Sequence, residues 1–192
     1  MKKVIIVHGW EGYPEEGWFP WLKKELEKEG FHVEIPIMPE AAAPRIDRWV
    51  SFLAHVAGEV DVNTFFVGHS IGCQAILRYL ESLPESNSVG GVLLVAPWFT
   101  LMNLETEEER EIAELWLTTP IDTEKVKRHT NNFLAVFSDD DDVVPTENQE
   151  MFEKRLKAKT VVEHRKGHFS GSDHIQELPI ALDFFKKNEI LD

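Results

Sequence analysis

The sequence predicts an α/β fold in which a six-stranded parallel sheet is covered by helices on both faces. Three observations support this prediction: six short apolar segments, amphipathic segments between them, and a length of 192 residues that suits one domain. Continuous apolar segments are typical of strands buried on both faces, and their alternation with helices indicates parallel βαβ units. No linker rich in Gly, Ser or Pro divides the chain, so we expect residues 1–192 to form a single domain.

The predicted strands are short and rich in Val, Ile, Leu and Phe. The first, residues 3–7 (KVIIV), and the fourth, residues 91–95 (GVLLV), are the most apolar, whereas the second, residues 32–37 (HVEIPI), has a weaker pattern. The remaining three predicted strands are residues 64–67, 132–137 and 160–163. Runs of this length and composition indicate buried strands.

Helical spacing of apolar residues marks the segments between the predicted strands. In residues 46–60, the side chains of Ile46, Trp49 and Leu53 fall on one face. The other predicted helices are residues 18–29, 71–83, 147–158 and 175–188. Between residues 98 and 131 the sequence predicts only short acidic helices, so we expect no large cap domain.

Candidate catalytic residues follow three different predicted strands. In a parallel sheet, ligands bind beyond the carboxyl ends of the strands, so residues at those ends are the ones to compare. Ser70 lies in residues 68–72 (GHSIG) after the third strand, aspartates 139–142 follow the fifth, and His168 follows the sixth. The order Ser, Asp, His and the Gly-x-Ser-x-Gly turn between strand and helix are typical of the α/β-hydrolase triad.

The chemistry of each residue type fits this order. A serine hydroxyl is a weak nucleophile at neutral pH, and a histidine that accepts its proton activates it. A carboxylate on the other ring nitrogen fixes the tautomer and stabilises the imidazolium. For the base we favour His168 over His164, which is nearer the strand and solvent, and over His174, which we expect to cap the last helix.

The acid and the pocket residues are assigned by position. For the acid we favour Asp141, with Asp140 as the alternative, because residues such as Asp139 and Asp140 are also common caps of loops. The oxyanion hole needs two backbone N–H groups, expected from Ile71 after the nucleophile and from Trp10 after the first strand. Trp10 and Trp98, which follow strand ends, are the expected aromatic walls of the pocket.

Several other classes of protein are disfavoured. No Gly-x-Gly-x-x-Gly follows the first strand and no phosphate-binding loop occurs, so no cofactor is expected. The run of aspartates 139–142 lacks the alternating spacing of a calcium loop, and we expect no metal. The net charge of −14 disfavours binding to nucleic acid or to an anionic membrane. One cysteine and the lack of a signal-peptide core predict a cytoplasmic location.

The residues in these positions resemble the small serine-hydrolase family typified by retinoblastoma-binding protein nine. The resemblance spans nearly the whole chain and includes residues 7–9 (VHG), 68–72 (GHSIG), Asp141 before Pro145, and 167–169 (GHF). It implies a compact α/β-hydrolase without a large cap and a triad of Ser70, Asp141 and His168. The Leu-x-Cys-x-Glu motif for binding retinoblastoma protein is absent, so we expect a small-molecule substrate and not that partner.

Two functions remain open from the sequence. The favoured one is a serine hydrolase that cleaves a small ester, amide or thioester through an acyl-enzyme on Ser70. The alternative is a binding or regulatory protein that keeps the hydrolase fold without turnover, because a fold does not by itself determine function. The presence of the three candidate catalytic residues favours the enzyme.

Overall fold

A six-stranded sheet with the strand order β2-β1-β3-β4-β5-β6 forms the centre of the computed structural model, which describes residues 2–189. The strands are β1 Lys3–Val7, β2 His32–Glu34, β3 Thr64–His69, β4 Gly91–Val95, β5 Phe133–Ser138 and β6 Lys159–Glu163. All five pairings between neighbouring strands are parallel. The strand order reverses between β1 and β3, which places a crevice for ligands at the carboxyl ends of these two strands.

Helices cover the sheet in two groups. They are α1 Phe19–Lys28, α2 Ile46–Ala57, α3 Ile71–Ser82, α4 Glu107–Thr118, α5 Thr123–Lys127, α6 Glu147–Leu156 and α7 Pro179–Glu189. Helix α1 packs against α7, whereas α2, α3, α5 and α6 contact one another in succession. Every residue of β3, β4 and β5 is buried, which requires cover on both faces of the sheet. The predicted fold class is therefore confirmed.

Prolines and a glycine explain where the elements differ from their predicted limits. Strand β2 ends at Glu34 and not at residue 37, because Pro36 has no N–H to donate to a neighbouring strand. Helix α7 begins at Pro179 and not at residue 175, because the residue before a proline disfavours the helical conformation. Helix α2 ends at Ala57, where Gly58 takes a positive φ of 58°.

The segment between β4 and β5 contains α4 and α5 but no cap domain. Helix α4 begins with a capping box in which Thr106 and Glu109 each bind the other's backbone N–H. Its exposed face is acidic, as the sequence predicts. Within residues 2–189, no helix is both long enough and apolar enough to cross a lipid bilayer.

Candidate active site

Ser70 occupies a sharp turn between β3 and α3. Its backbone has φ 51° and ψ −121°, a conformation that a residue with a side chain rarely adopts. The Ser70 N–H donates to the Val95 carbonyl at 2.9 Å, which ties the turn to the end of β4. Only 8% of the serine is exposed. This strained strand-to-helix turn is the geometry of a nucleophile elbow, which presents the hydroxyl at the edge of the sheet.

The two glycines around Ser70 allow α3 to lie close to the sheet. A Cβ atom at Gly72 would stand 2.4 Å from the Val7 carbonyl oxygen and 2.6 Å from that of His8. A Cβ at Gly68 would stand 2.8 Å from the Cα and N atoms of Cys73. Real Cβ atoms do not approach backbone this closely, so only glycine fits at either position.

His168 connects the serine with an aspartate. Its Nε2 lies 2.8 Å from Ser70 Oγ, and its Nδ1 lies 2.9 Å from Asp141 Oδ2. The Asp141 side chain is 2% exposed and also accepts the N–H groups of Val143 and Val144, each at 2.9 Å. These two donors orient the carboxylate and compensate its burial. The structure thus brings the three predicted residues into one hydrogen-bonded chain.

The neighbouring aspartates have a different role. Asp139 Oδ1 accepts the Arg165 N–H at 2.9 Å, and Asp140 Oδ1 accepts the Gly167 N–H at 2.8 Å. Both carboxylates therefore hold the backbone of the loop that carries His168. The hydrogen bond from the Arg165 N–H is the main cause that lowers the pKa of Asp139. Neither aspartate contacts the His168 ring, so the alternative acid Asp140 lies in the supporting structure of the loop.

The other two candidate histidines lie away from Ser70. The His164 side chain is 72% exposed, and its Nδ1 lies 2.5 Å from Asp139 Oδ2, a hydrogen bond that raises the pKa of His164. His174 has φ 59° and stands in a turn five residues before α7 begins at Pro179. The expectation that His174 caps this helix is therefore wrong, because Pro179 delays the start of the helix.

The two predicted oxyanion donors lie on either side of the crevice between β1 and β3. Ile71 is the first residue of α3, so its N–H has no partner within the helix. The Trp10 N–H donates no hydrogen bond to any atom of residues 2–189. The loop before Trp10 is fixed by His8, whose Nε2 accepts the Met38 N–H at 3.0 Å. Burial lowers the pKa of His8, which favours the neutral ring that this contact requires.

A cavity of about 150 Å³ opens beside Ser70 and His168. Trp10 and Trp98, the two aromatic residues expected at the pocket, are among its lining residues, and so is Ile71. Residues not predicted from the sequence also line it: Glu16, Leu101, Leu104 and Val143. Three of these come from irregular loops beyond β4 and β5, where no sequence pattern marks them. Phe99, which also follows β4, is not among the lining residues of this cavity, and its ring stacks on Phe152 with ring centroids 4.4 Å apart.

A wider groove of about 500 Å³ adjoins this cavity and shares Trp10, Leu104 and Val143 with it. Its outer wall is acidic, with Glu11, Glu108 and Glu109 among its lining residues. A further cavity of about 560 Å³ lies at the opposite end of the sheet, beside the first residues of β5 and β6, and contains none of the candidate catalytic residues. The candidate catalytic residues Ser70 and His168 therefore lie at the smaller cavity, which the groove adjoins.

Comparison with known proteins agrees with this geometry. A family model described as serine hydrolase matches residues 4–187. YdeN of Bacillus subtilis (strain 168) is 31% identical over 183 residues, which covers 95% of this chain and 93% of that protein. The crystal structure of the ydeN product superposes with a TM-score of 0.89 over 98% of both chains, at 29% identity. Serine hydrolase RBBP9 of Rattus norvegicus is 29% identical over 174 residues, or 89% of each chain.

Proposed function

This chain belongs to the serine hydrolase family, and on that premise we propose that it hydrolyses small carboxylic esters through an acyl-enzyme on Ser70. The observation that carries the proposal is the unbroken chain of hydrogen bonds from Ser70 Oγ through both nitrogens of His168 to Asp141. In this proposal Ser70 is the nucleophile, His168 the general base and acid, and Asp141 the group that orients the histidine. Amides and thioesters are the related substrates that the same chemistry accepts.

Acylation begins when His168 Nε2, 2.8 Å away, takes the proton of Ser70 Oγ as the oxygen attacks the substrate carbonyl carbon. The carbonyl oxygen gains the negative charge and accepts hydrogen bonds from the Ile71 and Trp10 N–H groups. Asp141 stays ionised and stabilises the imidazolium. Collapse of the intermediate breaks the bond to the leaving alkoxide, which takes the proton from His168 and departs as the alcohol.

Deacylation repeats these steps with water in place of Ser70. His168 Nε2 takes a proton from the water as its oxygen attacks the acyl carbon, and the same two N–H groups bind the oxyanion. The second intermediate breaks the bond to Ser70 Oγ, which recovers its proton from His168. The acid product then leaves. The scheme uses the chain's own residues, the ester and water.

Labelling of the nucleophile tests the proposal. A fluorophosphonate ester should modify Ser70 and no other serine, because within residues 2–189 only Ser70 has an imidazole nitrogen at its hydroxyl, whereas Ser138 and Ser170 donate to the weakly basic carboxylates of Asp140 and Asp173. The Ser70→Ala variant should lose both the label and at least about three orders of magnitude in kcat. Ser82→Ala is the matched control, because Ser82 lies at the other end of α3 and binds only the Tyr79 carbonyl. An adduct on another serine would overturn the role of Ser70 as nucleophile, and the absence of any adduct would favour the non-catalytic binding protein.

The size of the cavity supports a short acyl group. A cavity of 150 Å³ accommodates roughly a molecule of benzene size. A longer chain would extend into the groove, where the carboxylates of Glu11, Glu108 and Glu109 interrupt the apolar lining and each added methylene would be only partly buried. We therefore expect acetyl and butyryl esters to be hydrolysed, with kcat/KM falling for acyl chains beyond about ten carbons. Measured across p-nitrophenyl esters from C2 to C16, a profile that still rises at palmitate would contradict this substrate class.

A further inference from the structure

The loop that carries His168 has an unusual backbone. We call residues 164–171, which follow β6, the base loop. Arg165, Gly167 and Phe169 all have positive φ, at 54°, 54° and 58°, so His168 stands between two left-handed residues. For a bulky residue such as Phe169 this conformation is strained and persists only where the surroundings hold it. The contacts that hold the base loop therefore determine where the His168 ring lies.

Asp139 and Asp140 bind the backbone of the base loop before His168 in the chain. Three side chains from other segments bind its backbone from His168 onward. His69 Nε2 lies 2.7 Å from the His168 carbonyl oxygen. Trp18 Nε1–H donates to the Phe169 carbonyl at 3.1 Å. Glu16 Oε1 accepts the Gly171 N–H at 3.1 Å. All three side chains bind main-chain atoms, at residues that lie within three positions of His168 in the chain.

His69 is the most direct of the three, because it precedes Ser70 in the chain and contacts the carbonyl of His168 itself. A carbonyl only accepts hydrogen bonds, so His69 Nε2 carries the proton and Nδ1 does not. The ring is 4% exposed and packs edge-on against Trp18 and Phe19. Nδ1 has no partner within residues 2–189, because Gly9 closes over it.

The His69 ring is also suited electrically to its place. Burial, and secondarily the nearby His168, lower the pKa of His69 to about 3, so the ring is neutral at the pH of catalysis. Its centroid lies 5.1 Å from that of His168. A charged ring at this distance would oppose the imidazolium that forms on His168 during the reaction. A neutral donor holds the loop without that repulsion.

We propose that His69, supported by Trp18 and Glu16, is a positioning residue that fixes the main chain of His168 and so sets the distance between His168 Nε2 and Ser70 Oγ. The inference rests on the proposed function, because it gives His168 the role of base. It predicts that loss of the His69 donor slows the chemical steps far more than it weakens substrate binding, since His69 is one lining residue of the cavity and the walls formed by Trp10, Trp98 and Leu101 stay in place.

The test compares two substitutions of His69. In His69→Gln the amide nitrogen lies the same number of bonds from Cα as Nε2 and can still donate to the His168 carbonyl; in His69→Phe the donor is lost. Hydrolysis of p-nitrophenyl acetate should show kcat lowered by about 10- to 100-fold in His69→Phe, with KM within about threefold. His69→Gln should recover most of the lost kcat.

His129 provides the matched control. It is also buried, at 2% exposure, and its Nδ1 lies 2.8 Å from the Asn87 carbonyl, remote from Ser70. His129→Phe should lower the melting temperature but leave kcat of the folded protein unchanged. If His69→Phe does not fold, Trp18→Phe takes its place in the test, because it removes the donor to Phe169 and should lower kcat in the same way. Its control is Trp116→Phe, which removes a donor to Pro44 and should leave kcat unchanged.

The outcomes separate the two proposals. A wild-type protein that hydrolyses the ester, together with a folded His69→Phe variant of unchanged kcat, overturns the positioning role alone. A His69→Gln variant as slow as His69→Phe does the same. A wild-type protein with neither turnover nor labelling of Ser70 overturns the proposed function itself.

Discussion

Gly72 is the position where one added methyl group should most clearly separate activity from stability. In Gly72→Ala the new Cβ would stand 2.4 Å from the Val7 carbonyl oxygen and 2.6 Å from that of His8. Both neighbours are main-chain atoms of β1 and its following loop, which cannot rotate away. To reach an ordinary contact of 3.4 Å, the start of α3 must move from β1 by roughly 1 Å.

The consequence for catalysis follows from that displacement. Ser70 and Ile71 lie at the start of α3, whereas Trp10 follows β1. The shift therefore moves the nucleophile and the Ile71 N–H away from the second predicted oxyanion donor, the Trp10 N–H. A misplacement of about 1 Å at reacting groups costs about 100-fold in rate, or roughly 2.7 kcal/mol of transition-state stabilisation. Overpacking of this kind also lowers the free energy of unfolding by about 1–3 kcal/mol.

Gly90→Ala is the control for stability. A Cβ there would stand 2.4 Å from both Phe65 Cζ and the Val62 carbonyl oxygen, as tight as at Gly72, but at the opposite end of the sheet. Urea unfolding should show similar losses of stability for the two variants, and kcat/KM for a short ester should fall only in Gly72→Ala. Equal activity in the two folded variants would refute the argument that α3 must approach β1 this closely for catalysis.

Two further predictions concern charge. Asp141→Asn should lower kcat by at least about 100-fold, because the amide no longer fixes the His168 tautomer. In Asp139→Asn the amide oxygen can still accept the Arg165 N–H, so kcat should stay within about threefold of the wild-type value. Equal kcat values for the two variants would contradict the assignment of Asp141 as the acid. Burial holds the pKa of His69 at about 3 in the folded state, against 6.5 for an ordinary histidine. Between these two pH values the unfolded chain therefore binds one more proton than the folded protein. The free energy of unfolding should fall as the pH is lowered through this range, by up to about 1.4 kcal/mol per pH unit. We expect the free energy of unfolding, measured with urea at pH 5, 6 and 7, to depend less steeply on pH in His69→Gln than in the wild type. The same dependence on pH in both proteins would mean that His69 protonates in the folded protein.

The sheet could be predicted from sequence because its signals are local. Each strand has its own apolar run, and β1 and β4 begin and end where the runs at residues 3–7 and 91–95 do. The order Ser70, Asp141, His168 could be chosen because parallel strands bring their carboxyl ends to one edge. The aspartate is harder to choose than the serine or the histidine, since four consecutive carboxylates carry the same local signal.

The supporting contacts could not be predicted, because they join residues far apart in the chain through main-chain atoms. Trp18 lies in the predicted helix at residues 18–29 and His69 in the turn at residues 68–72, and the structure buries both. Neither pattern indicates that their N–H groups reach the Phe169 and His168 carbonyls, 151 and 99 residues away. Every residue has a main-chain carbonyl oxygen, so the type of the accepting residue does not indicate which carbonyl is bound.

Backbone strain at the edge of the sheet follows the same logic. Five of the loops after strands contain a residue other than glycine with positive φ: Glu11 after β1, Glu40 after β2, Ser70 after β3, Ala96 after β4 and Phe169 after β6. Each costs about 1–3 kcal/mol, a large share of the 5–15 kcal/mol by which a folded domain is typically stable. The glycines on either side of Ser70 mark its turn in the sequence, but turn rules look for glycine at the strained position itself and give no signal at the others. The fully buried central strands compensate this strain, so the loops keep the geometry that aligns Ser70 with His168 only while the sheet beneath them is intact.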